Sequence, residues 1–142
     1  PRERMSMQAI RAWLEANPDQ APGMMARNGS YVFFRELPEL ATAPGPLGAQ
    51  GVPLTPGRSL AVDRKFLPLG APFWLDTTAP FPDGDRPLRR LVVAQDTGGA
   101  IRGPVRGDIF WGADPLAEHL AGHMKSPGRL FILLPRELTP TS

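Results

Sequence analysis

Proline and glycine constrain this chain more than any other feature of its composition. It contains 18 prolines and 15 glycines among 142 residues, nearly a quarter of the total, against about 12% in average proteins. Both residues interrupt regular helices, so long helices cannot dominate the fold. They lie between short apolar runs, a pattern typical of turns between strands. The sequence therefore predicts a mainly β protein with short strands.

The remaining composition indicates one folded domain of ordinary size. Hydrophobic residues make up 42% of the chain and charged residues 21%, with a net charge of +2, which supplies a core and excludes a disordered polyelectrolyte. The sequence has no lysine or arginine run and no aromatic RNA-binding pattern, so we expect no nucleic-acid partner. The absence of cysteine excludes disulfides but leaves the compartment open.

Residues 1–29 are expected to form a helical lead-in segment. Apolar residues spaced i, i+3 and i+4 predict a helix over 6–16, formed by Ile10, Trp13 and Leu14. The Asn-Pro step at Asn17 ends this helix and predicts a short second one with Asn17 as its N-cap.

From residue 30 onward the pattern changes to short apolar runs separated by turn signals, such as TTAPFPDGDRP at 77–87. The proline-rich stretch 42–57 is interpreted as a surface loop. Six runs have the length and composition of strands. They are Ser30–Glu36, Arg58–Asp63, Pro72–Thr77, Arg89–Asp96, Asp108–Trp111 and Arg129–Leu134.

One helix interrupts this series of strands. Asp114 is a good N-cap, Pro115 is a good first residue, and the Ser-Pro-Gly step at 126–128 ends the helix. Six short strands with one inserted helix predict a small closed β-barrel, because closure removes exposed strand edges. The buried side of the helix is expected to consist of Leu116, Leu120 and Met124.

Two aspartates bracket the glycine-rich stretch AQDTGGAIRGPVRGD: Asp96 ends one predicted strand and Asp108 begins the next. Glycines leave room beside the backbone, so a bulky ligand can approach residues 98–103. If both carboxylates reach one mouth of the barrel, ionising one disfavours ionising the other, and one can hold a proton for acid catalysis. The spacing alone leaves open the alternative that both aspartates cap turns.

Three longer segments stand out: GVPLTPGRSLAVDRKFLPLGAPFWL, LVVAQDTGGAIRGPVRGDIFWG and AGHMKSPGRLFILLP. Together they resemble the membrane-bound lytic murein transglycosylase A family, and they look like its three-aspartate catalytic domain. MSMQAIRAWLEANP and YVFFRE are similar to its lead-in segment. The resemblance implies a six-stranded double-psi β-barrel catalytic domain over residues 30–142, with short N-terminal helices and one inserted helix.

The three motif aspartates of the family fall on Asp63, Asp96 and Asp108. The resemblance implies that Asp108 is the catalytic acid and base, that Asp96 tunes its protonation and orients the substrate, and that Asp63 supports the groove or the loop. To donate first, Asp108 has to hold a proton, which burial against Phe110 or Trp111 and the nearby charge of Asp96 would both favour. The candidate substrate-binding residues are Asp63, Gly98, Gly99 and Arg102.

The same resemblance implies a reaction on the glycan strands of peptidoglycan, at the bond from N-acetylmuramic acid to N-acetylglucosamine. Asp108 would protonate the glycosidic oxygen and then accept the proton of the muramyl C6 hydroxyl, which closes a 1,6-anhydro ring. The nucleophile is internal, so one acid/base group suffices, and no metal or organic cofactor is expected. Arg102 and Arg106 either pair with carboxylates of the peptide stem or solvate the loop.

Family members carry further sequence before this region, which contributes part of the barrel and a second domain facing the groove. Because that part is missing here, the chain is expected to be a fragment, a shortened relative, or a chain whose groove a companion polypeptide completes. Its start at Pro1 rather than at methionine suggests a processed or trimmed polypeptide. No apolar run approaches the roughly 20 residues of a membrane span, and no signal peptide is present. The resemblance implies a periplasmic location at the outer membrane, through an N-terminal lipid anchor outside these residues.

Other functions remain open at this point. A non-catalytic glycan-binding β-barrel would keep the same groove. An aspartic protease-like dimer would use the Asp-Thr-Gly motif that begins at Asp96, although the apolar-Gly-Arg signature of that family is missing. His119 and His123 have a spacing that can bind zinc, but Leu120 stands where a helical zinc peptidase needs glutamate, so we predict no metal site.

Overall fold

The computed structural model of the chain contains two compact units, Pro1–Leu37 and Pro38–Ser142. Among the described residues, no helix is long and apolar enough to cross a membrane. The residues that the structure describes are 7–30, 33, 36–38, 42–43 and 45–138.

Two short helices form the described part of the first unit, as predicted. Helix α1 is Met7–Ala16 and helix α2 is Ala21–Met25. The predicted capping role of Asn17 is wrong, because Gln20 is the N-cap of α2. The Asn17 side-chain amide instead donates to the carbonyl of Trp13, in the last turn of α1, at 2.8 Å. Asn17 therefore ends the first helix rather than beginning the second.

Five strands form one mixed sheet in the second unit. They are β1 (Ser59–Val62), β2 (Pro72–Phe81), β3 (Gly84–Asp96), β4 (Gly107–Ile109) and β5 (Gly128–Ile132). Their order across the sheet is β4-β1-β3-β2-β5. β1 and β3 are parallel, and every other neighbouring pair is antiparallel.

The sheet is open, so the described residues do not form the predicted closed barrel of six strands. β4 and β5 are the two edges of the described sheet and do not pair with each other. The predicted strand Ser30–Glu36 falls largely on 31–32 and 34–35, which lie outside the described residues. The two edges are short, since β4 has three residues and β5 has five.

The predicted turn segment 77–87 is instead part of a long hairpin. β2 and β3 pair without interruption up to Phe81 and Gly84, which leaves a two-residue turn. Beyond Thr77, β2 has no second neighbour in the described sheet, because its pairing with β5 ends there. Pro80 and Pro87 lie in the part of the hairpin beyond Thr77. They are tolerated there, because no third strand needs their missing N–H groups.

The main core cluster lies on one face of the three neighbouring strands β1, β3 and β2. Because side chains alternate along a strand, Ala61 projects to the face opposite its buried neighbours in β1. The core therefore anchors β1 from one side and leaves its other side to the candidate functional residues. The cluster consists of Leu60, Val62, Phe73, Val92 and Ala94.

Helix α3 (Pro115–His123) packs on the sheet through a second small core. Asp114 is its N-cap, as predicted, and accepts a hydrogen bond from the N–H of Ala117 at 2.6 Å. Ala117 and Leu120 are buried, whereas Leu116 is 43% exposed. The prediction that Leu116 is buried is therefore wrong: the inward pair at i and i+3 begins one residue later.

Replacing Asp114 with alanine is expected to lower the free energy of unfolding by about 1 kcal/mol, because the N–H of Ala117 loses its side-chain acceptor. Asp85→Ala, on the exposed arm of the hairpin, is the matched control and should leave stability unchanged. Chemical denaturation of both variants measures the difference, and equal losses would contradict the capping role.

Candidate active site

Asp96 and Asp108 lie on opposite sides of the same residue, Ala61 in β1. Ala61 is in register with Asp96 of β3 and with Asp108 of β4. Residues in register on neighbouring strands project to the same face of a sheet, and the strands are about 4.8 Å apart. Both aspartates therefore belong to the Ala61 face, separated by one strand that carries only a methyl group there.

A cavity of about 170 Å³ opens on this face, and both aspartates line it. We call it the aspartate cavity. The structure thus brings the two predicted catalytic residues to one site. The rest of its lining consists of Leu54, Ser59, Ala61, Ile109 and Phe110.

A β-bulge at Gln95 sets the direction of Asp96. The register between β1 and β3 skips Gln95, so that Asp96 is opposite Ala61. Without the bulge, Asp96 would be beside Val62 and would share its buried side. The buried Ser59 holds the bulge, since its hydroxyl donates to Gln95 Oε1 at 2.6 Å.

A small hairpin before β1, residues 47–53, contacts the end of β3. The N–H of Ala49 donates to Asp96 Oδ1 at 3.0 Å, and the N–H of Gln50 donates to the carbonyl of Gln95 at 3.0 Å. These contacts were missed from the sequence, where the stretch is predicted only as a proline-rich surface loop. The hairpin therefore belongs to the site, because it holds one of the two aspartates.

Asp108 is the more exposed of the two aspartates. Its side chain is 53% exposed, and Arg106 Nε lies 3.4 Å from Asp108 Oδ1. The expected burial against Phe110 or Trp111 is therefore absent from the described structure. A second cavity of about 530 Å³, which also borders Arg106, Trp111 and Lys125, reaches Asp108 as well. Asp108 is accessible from both cavities.

Asp63 follows β1 and holds the loop between β3 and β4. It is 5% exposed, and its oxygens accept hydrogen bonds from the N–H of Gly103 at 2.9 Å and of Lys65 at 3.1 Å. Gly103 has a φ of 103°, which favours glycine. The Gly103 and Lys65 N–H groups lower the pKa of Asp63, burial opposes them, and the positive charges of Arg102 and Lys65 lower it further.

The contact between Asp63 and the loop is expected to weaken in acid. A carboxyl with a lowered pKa in the folded state stabilises the fold above its unfolded pKa of about 3.9, and this contribution is lost as the pH falls through the folded pKa. The NMR resonance of the Gly103 amide should therefore titrate below about pH 4. Asp63→Asn should remove that transition, and an identical titration in the variant would contradict the assignment.

The other predicted binding residues, Gly98, Gly99 and Arg102, border a third cavity of about 550 Å³ together with Asp63. We call it the loop cavity. A Cβ on Gly98 would lie 2.8 Å from Ile101 Cδ1, whereas a Cβ on Gly99 would meet no atom within 4 Å. The predicted site residues therefore divide between the aspartate cavity and the loop cavity.

His119 and His123 on α3 stack on each other, with their ring centroids 4.4 Å apart. His123 Nδ1 also lies 2.8 Å from the carbonyl oxygen of His119. Across the described ranges, no group of three or more His, Asp or Glu side chains is placed to hold a metal ion. The two histidines form a ring contact on the helix surface.

Two protein-family models match the chain. The 3D domain model matches residues 58–134, more than half of the chain, and the MltA specific insert domain model matches residues 1–35. The chain belongs to the lytic murein transglycosylase A family. The range of the 3D domain contains Asp63, Asp96 and Asp108 and all five strands of the described sheet.

Named relatives and solved structures agree with this family assignment. The membrane-bound lytic murein transglycosylase A of Escherichia coli strain K12 is 40% identical over 138 residues, which cover 93% of this chain and 36% of the relative. The crystal structure of MltA from Neisseria gonorrhoeae, monoclinic form, matches with a TM-score of 0.81 and 43% identity, over 95% of this chain and 33% of that one. E. coli MltA with bound chitohexaose matches with a TM-score of 0.74 and 34% identity, over 91% of this chain and 39% of that one. The chain thus spans about a third of the length of the curated relatives it matches.

Proposed function

We propose that this protein is a peptidoglycan lytic transglycosylase, which cleaves the β-1,4 bond between N-acetylmuramic acid and N-acetylglucosamine and forms 1,6-anhydromuramyl products. The observation that carries the proposal is the pair Asp96 and Asp108, which share one cavity on the Ala61 face of the sheet. The name of the E. coli relative and the oligosaccharide bound to the E. coli neighbour support a glycan substrate.

Asp108 acts as the single acid and base in this proposal. Its carboxyl gives a proton to the glycosidic oxygen as the bond to muramyl C1 breaks, and the resulting carboxylate takes the proton of the C6 hydroxyl. The C6 oxygen bonds to C1 of the same sugar, so the ring closes and no water enters the product. An intramolecular nucleophile has a large entropic advantage, so no second carboxylate is needed as a nucleophile.

Because Asp108 is exposed in the free protein, the bound substrate itself forms part of the environment of this carboxyl. A sugar ring in the aspartate cavity would cover the exposed side of Asp108 and separate it from solvent. Removing a carboxyl from solvent favours its neutral form, whereas Arg106, 3.4 Å from Asp108 Oδ1, favours the carboxylate, so the substrate has to displace this contact as well. The bound substrate therefore completes the environment that the first proton transfer needs.

Asp96 supplies negative charge and orientation across β1 from Asp108. The N–H of Ala49 bonds to one of its oxygens, which fixes its direction and leaves the other oxygen for the substrate. Asp63 holds the loop through Gly103. Gly98, Gly99 and Arg102 border the path of the substrate past this loop.

The proposal includes a completed double-psi β-barrel, with 30–142 as its catalytic part and 1–29 as the helical lead-in. The open edges of the described sheet are β4 and β5, and strands from more of the same chain or from a companion polypeptide would close it. The E. coli relative is named as membrane-bound. We accordingly place this protein in the periplasm at the outer membrane, held by an N-terminal lipid anchor.

Incubation with purified murein sacculi tests the proposed reaction. The protein should release muropeptides that end in 1,6-anhydromuramic acid, which mass spectrometry separates from reducing-end products by the mass of one water. Reducing-end products would identify a hydrolase instead. Glycan binding without any product would favour the non-catalytic glycan-binding β-barrel, and pepstatin-sensitive peptide cleavage would favour the aspartic protease-like dimer.

A further inference from the structure

The lining of the loop cavity lies one residue further along β1 and β3 than the lining of the aspartate cavity. Ala61 of β1 and Asp96 of β3 line the aspartate cavity, and Val62 and Thr97, the next residue of each segment, line the loop cavity. Because β1 and β3 are parallel, both segments leave the sheet in the same direction. One residue of rise, about 3.3 Å, separates the two linings along the strands. Because Val62 is on the core face and Ala61 on the other, a ligand seated at Asp96 would reach the loop cavity by passing the ends of β1 and β3.

Positive charge is in excess around the loop cavity. Arg64, Lys65 and Arg102 border it, against one carboxylate, Asp63. Asp63 already accepts two backbone hydrogen bonds. Within the part of the chain that the structure describes, none of the three cations forms an ion pair, since the ion-paired cations are Arg86, Arg89, Arg106 and Arg129.

Gly98 and Gly99 line one side of the loop cavity with backbone atoms only. A Cβ on Gly99 would meet no atom within 4 Å, so the space beside it is open to a ligand group. No hydrogen bond among the described residues uses the N–H of Gly98 or Gly99. Backbone N–H groups and cationic side chains together favour an anion, and a carboxylate suits both kinds of donor.

We infer that the loop cavity binds a carboxylate of the peptide stem that the substrate carries on muramic acid. This inference rests on the proposed function, because the stem is attached to the same sugar whose C1 is attacked at Asp108. The N-acetylated sugars carry no charge, whereas the stem ends in free carboxylates. Arg64 and Lys65 therefore select glycan that still bears its peptides.

Binding to the Asp108→Asn variant measures this selection without turnover. The variant should bind peptide-bearing glycan about five- to tenfold more tightly than the same glycan with its stem carboxylates converted to amides. The preference should shrink at high salt, because exposed charges are screened. Adding Arg64→Gln and Lys65→Gln should reduce the preference, because Arg102 is then the one cation left among the lining residues, and should leave the affinity for the amidated glycan unchanged. Arg86→Gln, at the hairpin tip, is the matched control and should keep the preference.

Equal affinity for the two glycans, no binding to either, or a preference that Arg64→Gln and Lys65→Gln leave undiminished would overturn the inference. A third glycan, whose stems an amidase has removed, identifies the source of the carboxylate. If that glycan, which keeps only the lactyl carboxylate, binds as tightly as the peptide-bearing form, the stem assignment is wrong. Failure of the proposed function is a separate result: unmodified protein would then release no anhydro product from any glycan.

Discussion

Replacing Asp108 with asparagine is expected to reduce the rate of anhydromuropeptide release by about 10²–10⁴-fold, the range for loss of a positioned acid and base. Asparagine can neither give a proton to the glycosidic oxygen nor take one from the C6 hydroxyl. The fold should persist, because the Asp108 side chain is 53% exposed and its ion pair with Arg106, at 3.4 Å, lies at the surface, where such pairs contribute little to stability. Quantified release from sacculi measures the rate, and circular dichroism of both proteins checks the fold.

Two further variants show whether the loss of activity is specific to Asp108. Asp96→Asn should cost less, because asparagine keeps an oxygen that accepts the hydrogen bond from Ala49 and loses only the charge. Asp85→Asn, on the exposed arm of the hairpin, should leave the rate unchanged. A larger loss at Asp96 than at Asp108 would exchange the two roles, and full activity of both variants would place the site elsewhere.

Local signals in the sequence predicted the elements that local contacts determine. The cap Asp114 and the first residue Pro115 define the start of α3 within one turn, and the structure confirms both. β1 and β4 lie within two residues of their predicted ranges, because turn residues bound each of them. No contact with a distant part of the chain is needed to place these elements.

The features that local signals predicted wrongly depend on pairing between distant parts of the chain. Pro80 and Pro87 are turn residues by local preference, but the pairing of β2 with β3 extends both strands through them. Closure of a barrel depends on which strands meet at the edges, and in the described sheet β4 and β5 remain edges. Neither fact has a signature in any short window of sequence.

The candidate site was predictable as a set of residues but not as a geometry. The glycine-rich motif pairs Asp96 with Asp108, and the family resemblance adds Asp63 to the candidate site residues. The bulge at Gln95, however, breaks the two-residue alternation on which strand prediction depends. Ala61 has no reactive group and therefore no sequence signal, and its importance comes only from its register with both aspartates.

Replacing Gly48 with alanine is expected to lower both stability and activity. A Cβ at this position would overlap the carbonyl oxygen of Gln95 and lie 2.6 Å from Leu54 Cδ2, so the hairpin 47–53 has to move away from β3. This movement breaks the hydrogen bonds that the hairpin donates to Asp96 and to Gln95. Overpacking and two lost hydrogen bonds together should lower the free energy of unfolding by about 2–4 kcal/mol.

Gly29→Ala is the matched control, because a Cβ at Gly29 meets no atom within 4 Å, and it should change neither property. Turnover is measured well below the melting temperature of Gly48→Ala, so that unfolding of the variant does not lower the measured rate. Since the hairpin acts on Asp96, Gly48→Ala should reduce the rate by no more than Asp96→Asn does. Full activity in a destabilised Gly48→Ala protein would show that the hairpin supports the fold without orienting Asp96. An unchanged melting temperature would contradict the close approach of Gly48 to β3.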